Sequence, residues 1–242
     1  MLLLIPLLLI FPLAHAKETK ILSYNVWFDD ASGLSYRYRQ ITDFLAKEDP
    51  DYVCLQEVTP KYLKILKKEF PAKYQIYDDS LVKKQYGNVI FTKNEPARVQ
   101  ILPLETRMSR TALIVQDSHY SIVNVHLESM LTDTHIREQQ LSQVINHTQQ
   151  LPHLIICGDF NFGDMEKENE RISEFTDTGK DAGEPTYDIE HNKLAAKNRF
   201  PDEPTRRLDK ILLRKGHPTF RLEVKKPMFS DHYPIVLTVS EH

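Results

Sequence analysis

The sequence is poor in cysteine, with only Cys54 and Cys157 among its 242 residues. Two cysteines cannot form the multiple-disulfide framework of small secreted domains, and they exclude a cysteine-rich metal cluster. Each lies inside an apolar, strand-like run, "YVCLQ" and "LIICG", which predicts two buried free thiols. The spacing alone leaves open whether the two strands lie close enough for a disulfide.

A strong excess of either charge is also missing. The 31 Lys and Arg residues oppose 34 Asp and Glu residues, which gives a formal net charge of −3. This balance excludes a general basic coat for non-specific nucleic-acid binding, although it leaves room for a local basic patch. After the first 16 residues the chain lacks repeats, linkers and low-complexity runs, and its composition is typical of one soluble globular domain.

The first residues have the pattern of a targeting segment. An apolar run over residues 2–13 leads into "AHA", a small-x-small cleavage pattern, and polar residues follow from Lys17. The run is shorter than the roughly 20 residues of a spanning helix. It has no Lys or Arg before it, so an uncleaved anchor stays the alternative, and no cysteine follows it for lipid attachment. We predict a signal peptide over residues 1–16, export after cleavage near Ala16, and one domain over residues 17–242.

Strand and helix signals interleave along the remaining chain. Helical spacing predicts helices over residues 36–48, 60–70 and about 133–150, while residues 162–207 are charged and turn-like, with a short helix near "EKENERISEF". The predicted strands are "KILSYNVW", "DYVCLQEV", "YQIY", "NVIFT", "ARVQILPL", "TALIVQ", "YSIVNVHL", "HLIICGD", "LDKILLR" and "YPIVLTV". Many strands with helices in two groups predict an α/β sandwich of two packed sheets flanked by helices.

Six polar motifs lie along these apolar strands: five sit at one end of a strand, and the sixth, with Asp209, opens the next strand. Loops at the strand ends of a rigid scaffold are the usual place for catalytic groups. Each motif alone has a simpler interpretation as a turn, a helix cap or a solvated side chain. Their joint pattern favours a single site. The residues are Asn25, Glu57, His126, Ser129, Asp159, Asn161, Asp209, Asp231 and His232.

The motif "GDFN" indicates the chemistry of that site. In extended backbone Asp159 and Asn161 point to one face while Phe160 points into the core. Carboxylate, amide and histidine groups without a cysteine cluster suit a hard, oxygen-preferring cation, with Mg²⁺ first and Mn²⁺ second. A phosphate ester is the natural substrate, because the metal neutralises phosphoryl charge while a carboxylate orients water for in-line attack.

The order of the motifs resembles the endonuclease/exonuclease/phosphatase superfamily, the DNase-I-like metal-dependent phosphoesterases. "LQE", "GDFN", "RLD" and "SDH" recur in sequence, "GNVIFTK" resembles an intervening strand, and the resemblance covers nearly all of residues 20–239. Within the superfamily the segments "LQEVTPKYLKILKK", "HLES" and "TYDIEHN…RRLDKILLR" are most similar to tyrosyl-DNA phosphodiesterase 2. Tyr187 stands where that pattern has Trp, and "SYNVWFDD" departs from the expected opening. The resemblance implies a four-layer α/β sandwich of two packed mixed sheets.

The resemblance also implies a role for each candidate residue. By this resemblance Glu57 is the principal metal ligand, supported by Asn25 and Asp231. Asp159 orients or deprotonates the attacking water, and Asn161 contacts the phosphate. His232, kept charged by Asp209, binds phosphoryl oxygens. His126 and Ser129 bind phosphate oxygens near the leaving group.

The sequence leaves three functions open. The first is an exported Mg²⁺-dependent phosphodiesterase acting on nucleic acid or a 5′-phosphotyrosyl–DNA adduct. The second is the same chemistry on a lipid headgroup or inositol phosphate, as in sphingomyelinases, which export favours. The third is a non-catalytic binding module, against which the presence of Asp159 and Glu57 argues. We expect a monomer without a stable protein partner.

Overall fold

The computed structural model describes residues 17–29, 35–216 and 219–241. The predicted signal peptide, residues 1–16, lies outside these ranges. Within them, every helix falls short of the length and apolar character that crossing a bilayer requires.

The described residues form twelve strands and four α-helices, with short 3₁₀ turns at Leu131–Asp133 and Lys167–Ile172. The strands are β1 Lys17–Asn25, β2 Tyr52–Val58, β3 Gln75–Asp78, β4 Gly87–Thr92, β5 Arg98–Pro103, β6 Thr111–Gln116, β7 Ser121–His126, β8 Leu154–Asp159, β9 Phe175–Asp177, β10 Asp209–Arg214, β11 Phe220–Val224 and β12 Ile235–Glu241. The helices are α1 Ser35–Glu48, α2 Pro60–Glu69, α3 Thr134–Thr148 and α4 Lys193–Asn198.

Two mixed six-stranded sheets form the centre of the fold. The first has the strand order β11-β12-β1-β2-β4-β3, and the second has the order β5-β6-β7-β8-β10-β9. In each sheet one neighbouring pair, β1 with β2 and β7 with β8, runs parallel, and the other pairs are antiparallel.

Three apolar clusters hold the layers together. The cluster between the sheets includes Ile21, Ile122 and Ile211 and contains both cysteines, which are buried free thiols as predicted. A second cluster packs α1 and α2 on the first sheet, and a third packs α3 on the second sheet. The fold is therefore the predicted four-layer sandwich, stabilised mainly by removal of apolar side chains from water.

Local chemistry explains where α2 begins. Pro60 occupies the first helical position, where its missing N–H costs nothing. The hydroxyl of Thr59 accepts a hydrogen bond from the Tyr62 N–H at 3.2 Å and so satisfies one free donor of the first turn. Leu63 and Leu66 then face the first sheet.

The predicted strands and the three long helices are confirmed, with ends shifted by a few residues. The region over residues 162–207 is more regular than predicted, because β9 and α4 lie within it. The helix predicted near "EKENERISEF" is a 3₁₀ turn, and β11 was not predicted.

Candidate active site

The strand register brings the predicted polar residues to one edge of the two sheets. His126 pairs with Asp159 across the parallel strands β7 and β8. Asp209 opens β10, which runs antiparallel to β8, and therefore also pairs with Asp159. Asn25 ends β1 in the facing sheet. The first residue of one strand and the last residues of three others thus meet at one place.

Glu57 reaches this place through an irregularity in β2. The pairing of β2 with β4 shifts register between Leu55 and Val58, and Glu57 lies in that bulge with a φ of 61°. Bulges re-aim side chains and are frequent beside active sites, and a positive φ is unfavourable for glutamate. The local strain directs this carboxylate toward the cleft.

The "GDFN" loop needs a similar departure from regular geometry. Gly158 has a φ of 145°, and a Cβ at this position would lie 1.9 Å from the carbonyl oxygen of Val125. Asn161 has a φ of 56°, so its backbone is left-handed and not extended as the sequence predicted. Its N–H donates to Asp159 Oδ1 at 3.0 Å. Phe160 is fully buried under the loop, as predicted.

Asp159 is the meeting point of the site. Its Oδ2 accepts a hydrogen bond from Asn25 Nδ2 at 2.9 Å. The same oxygen lies 3.6 Å from His126 Nε2 and 3.7 Å from His232 Nε2. The Asp159 side chain is almost fully buried, yet it lines the cleft. It is therefore positioned to accept a proton from a group held between the two histidines.

His232 is held in its charged form. Its Nδ1 donates to Asp209 Oδ2 at 2.7 Å. Burial alone would lower the pKa of His232, but the charges of Asp209, Asp159 and Asp231 outweigh burial and raise the pKa well above its ordinary value. Its ring also packs against that of Tyr187, with 5.3 Å between centroids.

His126 is neutral because of Arg110, a residue that the sequence did not lead us to predict. Arg110 Nη1 lies 2.9 Å from His126 Nδ1, and a guanidinium can only donate, so Nδ1 accepts and the ring proton is on Nε2. Burial, the charge of Arg110 and the charge of His232 all lower the pKa of His126 well below its ordinary value. The neutral ring therefore points its Nε2–H at Asp159 and Glu57.

Arg110 also organises Ser129 and the aromatic residue beside it. Its Nη2 donates to Ser129 Oγ at 2.6 Å, and its guanidinium carbon lies 6.0 Å from the ring centroid of Tyr86. Asn161 Nδ2 approaches the same hydroxyl at 3.5 Å. The signal in the sequence was a cation immediately before the apolar strand "TALIVQ", at the edge where the other polar residues lie.

The chemistry of the acidic groups fits a divalent cation at Glu57. Burial first, and then the charge of Asp231, raise the pKa of Glu57 to about 7, against the opposing effects of the Phe28 N–H, His232 and Arg110. Its Oε1 accepts from Asn25 Nδ2 at 3.2 Å and lies 3.7 Å from His126 Nε2. A carboxylate whose pKa is raised by desolvation and by a neighbouring carboxylate, despite the His232 and Arg110 cations, is stabilised in its charged form by a bound divalent cation.

The two other predicted metal ligands are engaged elsewhere. Asn25 Oδ1 accepts the Trp27 N–H at 3.0 Å, so its amide would have to turn to offer an oxygen to a cation. Asp231 accepts from Asn198 Nδ2 at 2.9 Å and from Ser230 Oγ at 3.2 Å. It therefore acts on Glu57 by its charge.

A second group of potential ligand atoms lies beside Glu57. Asp159, Asp209 and His232 each place one such atom within 4.8 Å of the others. A metal-ligating histidine must be neutral, whereas His232 is held as a cation by its carboxylate neighbours. Glu57 is therefore the better anchor for a cation.

These groups form the floor of a cleft of about 290 Å³. One wall is largely aromatic and apolar, and Phe28 stacks on Tyr86 there with 4.5 Å between ring centroids. The other wall carries Tyr187, Asn198 and Phe200 from the region around α4. Phe28, Met130 and Phe200 are exposed at the mouth.

The sequence profile of the Endonuclease/Exonuclease/phosphatase family matches residues 22–232. Tyrosyl-DNA phosphodiesterase 2 of Mus musculus is 32% identical over 170 residues, which cover 64% of this chain and 44% of the relative. The Homo sapiens enzyme is 30% identical over 157 residues, covering 60% and 42%. The chain thus matches less than half the length of these relatives.

Solved structures share the whole fold. The Danio rerio tyrosyl-DNA phosphodiesterase 2 complexed with single-stranded DNA product superposes with a TM-score of 0.78 at 27% identity, covering 91% of this chain and 98% of that one. Sphingomyelinase C from Streptomyces griseocarneus gives a TM-score of 0.77 at 17% identity, covering 93% and 100%. The second likeness is one of fold alone.

Proposed function

Because the chain belongs to the endonuclease/exonuclease/phosphatase family, whose members are metal-dependent hydrolases of phosphate esters, we propose that it is an exported Mg²⁺-dependent phosphodiesterase acting on a 5′-phosphotyrosyl–DNA-like or other nucleic-acid substrate. The observation that carries the proposal is the position of Asp159 between a neutral and a cationic histidine on the floor of the cleft. Mn²⁺ is a second candidate cation, and a monomer is the expected form.

The proposed reaction is in-line attack of water on phosphorus. Asp159 Oδ2 accepts a proton from the attacking water while a new P–O bond forms. The bond from phosphorus to the leaving oxygen breaks, and the leaving group departs as an oxyanion or takes up a proton. The cationic His232 stabilises the phosphoryl oxygens, and the Nε2–H of His126 donates to an oxygen on the opposite side.

A divalent cation at Glu57, with Asn25 after its amide turns, would neutralise phosphoryl charge. The protein side chains supply the orientation. Asn161 Nδ2, which donates to Leu127 O at 3.0 Å and approaches Ser129 Oγ, contacts the phosphate together with Ser129. Asp209 keeps His232 oriented and charged.

The aromatic wall supports an aromatic or base-bearing substrate. Phe28 and Tyr86 present a stacked pair to the cleft beside Arg110. A tyrosyl leaving group or an unstacked base packs on such a wall, which favours single-stranded ends over intact duplex. The relatives described above, a human tyrosyl-DNA phosphodiesterase 2 and a Danio rerio one complexed with single-stranded DNA product, agree with this substrate class.

Hydrolysis of a 5′-tyrosyl oligonucleotide tests the proposal. Purified protein should release tyrosine in Mg²⁺ and lose this activity in EDTA, with recovery when Mg²⁺ or Mn²⁺ is returned. Asp159→Asn should lower kcat by at least about a hundredfold while the fold stays intact, and the exposed Asp43→Asn serves as its control. If no tyrosine is released at high enzyme concentration, the 5′-tyrosyl oligonucleotide is not a substrate.

A lipid phosphodiester is the second candidate. Three exposed apolar side chains on separate segments, Phe28, Met130 and Phe200, surround the cleft mouth, as a surface that meets a bilayer requires. The predicted export would give access to such lipids. Choline release from sphingomyelin liposomes, without release of tyrosine from the oligonucleotide, would favour this candidate.

A further inference from the structure

A buried carboxylate outside the cleft organises one of its walls. Asp79 follows β3 and has no exposed surface. Its Oδ1 accepts the N–H groups of Leu81 at 3.0 Å and Val82 at 3.2 Å. Its Oδ2 accepts the Asn88 N–H at 2.9 Å and the Thr111 hydroxyl at 2.8 Å. Four donors from three segments therefore converge on one side chain.

Gly87 shows how tightly the chain closes around this carboxylate. A Cβ at Gly87 would lie 2.1 Å from Asp79 Oδ1 and 2.9 Å from the Val82 nitrogen. Any residue larger than glycine would displace the carboxylate from its donors. The loop between β3 and β4 is thus built on Asp79.

Two residues that lie one or two positions before these donors face the site. Tyr86 immediately precedes Gly87, and Arg110 immediately precedes Thr111. Asp79 therefore ties together the two backbone segments that carry the Tyr86 ring and the Arg110 guanidinium, which lie 6.0 Å apart. Arg110 in turn donates to His126 and Ser129.

We propose that Asp79 is a positioning residue that holds Arg110 and Tyr86 in place on the leaving-group side of the cleft. The role rests on the proposed phosphodiesterase function. Asp79 touches neither the substrate nor the reacting atoms. It acts through Arg110, which fixes His126 with its proton on Nε2, and through Tyr86, whose ring lies beside the Arg110 guanidinium.

This position predicts a dependence on the leaving group. A phenolate of ordinary basicity, such as that of tyrosine, needs stabilisation as it departs, whereas p-nitrophenolate needs little. Displacement of Arg110 and Tyr86 should therefore slow cleavage of a tyrosyl or phenyl ester of an oligonucleotide 5′-phosphate far more than cleavage of its p-nitrophenyl ester.

The variants are Asp79→Asn and Gly87→Ala. Asparagine keeps the shape but turns an –NH₂ group toward hydrogen-bond donors, and alanine places a methyl group against Asp79 Oδ1. We expect kcat/KM for the tyrosyl ester to fall roughly 10- to 100-fold in either variant, with less than about a twofold change for the p-nitrophenyl ester.

Asp117 provides the matched control at the other end of β6. It is also buried and accepts four hydrogen bonds, from the His119 and Tyr120 N–H groups, the Tyr52 hydroxyl and the Asn94 amide. Asp117→Asn should lower stability without changing the ratio of the two kcat/KM values. Rates are compared at a temperature where each variant is folded by circular dichroism.

Nitrogen NMR of the histidine rings supplies a readout that is independent of turnover. Asp79→Asn should shift the His126 signals away from the neutral Nε2–H form, and Asp117→Asn should leave them unchanged. An equal loss on both esters, or an unchanged His126 spectrum in Asp79→Asn, would overturn the proposal. If the wild-type protein cleaves neither ester, the proposed function fails while the NMR result still decides the role of Asp79.

Discussion

At the scale of single residues, the site depends on two buried histidines with opposite charge states. Three carboxylates surround His232 and raise its pKa, while burial and the Arg110 guanidinium lower that of His126. One ring is therefore a cation and the other a neutral donor at the same pH. Because their pKa values differ, the cationic ring can stabilise negative charge while the neutral ring donates a hydrogen bond.

The raised pKa of His232 predicts how activity depends on pH. Because the pKa of His232 is raised, activity in saturating Mg²⁺ should persist through the ordinary histidine range near 6.5 and fall only as the pH rises through the raised value. Asp209→Asn removes the main charge that raises this pKa and should move the fall to lower pH. The measurement is kcat/KM against pH for both proteins, with the exposed His147→Asn as control. An unmoved profile in Asp209→Asn would contradict the assignment.

At the scale of elements, the site depends on irregular endings of regular strands. β2 carries a bulge at Glu57, and β8 ends in Gly158 and the left-handed Asn161. These departures aim side chains into the cleft at a cost in backbone strain. Strand packing on both sheets maintains them.

Gly158→Ala tests whether the end of β8 tolerates a side chain. Its Cβ would lie 1.9 Å from Val125 O in a conformation that L-residues rarely adopt, so we expect the free energy of unfolding to fall by about 2–4 kcal/mol. Gly183→Ala is the control, since Gly183 has a φ of 60° and no neighbour within 4 Å. It should cost about 1 kcal/mol. Urea denaturation measures the free energy of unfolding of both variants. Equal losses would mean that the close approach of β7 to β8 at Gly158 does not contribute to the cost of the substitution.

The same elements explain what the sequence predicted. Apolar strands that end on polar residues indicated the site, because buried strands must leave their polar groups at an edge. β9, β11 and α4 lacked a clear periodicity. The two strands form by pairing with β10 and β12, and α4 is capped by the adjacent Asn192, whose amide donates to the backbone of Ser230 and Asp231. Arg110 was missed because His126 and Ser129 lie on another segment. Asp79 was missed because two of its four donors, Asn88 and Thr111, belong to other segments. The bulge at Glu57 was not predictable from a regular apolar pattern.

At the scale of the whole molecule, we expect the site to make the stability of the fold depend on pH and on a bound divalent cation. Burial raises the pKa of Glu57, and carboxylate charges raise that of His232. Each group is therefore more readily protonated in the folded state than in the unfolded state. The resulting stability is present at low pH and is lost as pH rises through the folded pKa.

Thermal unfolding should show this linkage at Glu57. Its contribution is complete below its ordinary pKa of 4.5 and lost through about 7, and a cation requires the deprotonated form. We expect Mg²⁺ to raise Tm more at about pH 7.5 than at about pH 5. Glu57→Gln should lose most of this increase. An undiminished Mg²⁺ effect in Glu57→Gln would place the cation elsewhere.

In the proposed mechanism water, oriented by Asp159, attacks phosphorus in an ester held in this cleft. Single-turnover cleavage of a 5′-tyrosyl oligonucleotide in isotopically labelled water, with Mg²⁺ present, tests it most directly. We predict one labelled oxygen in the released 5′-phosphate with the wild-type protein and release at least about a hundredfold slower with Asp159→Asn. Release of tyrosine without label in the phosphate, or unchanged release by Asp159→Asn, would contradict this mechanism.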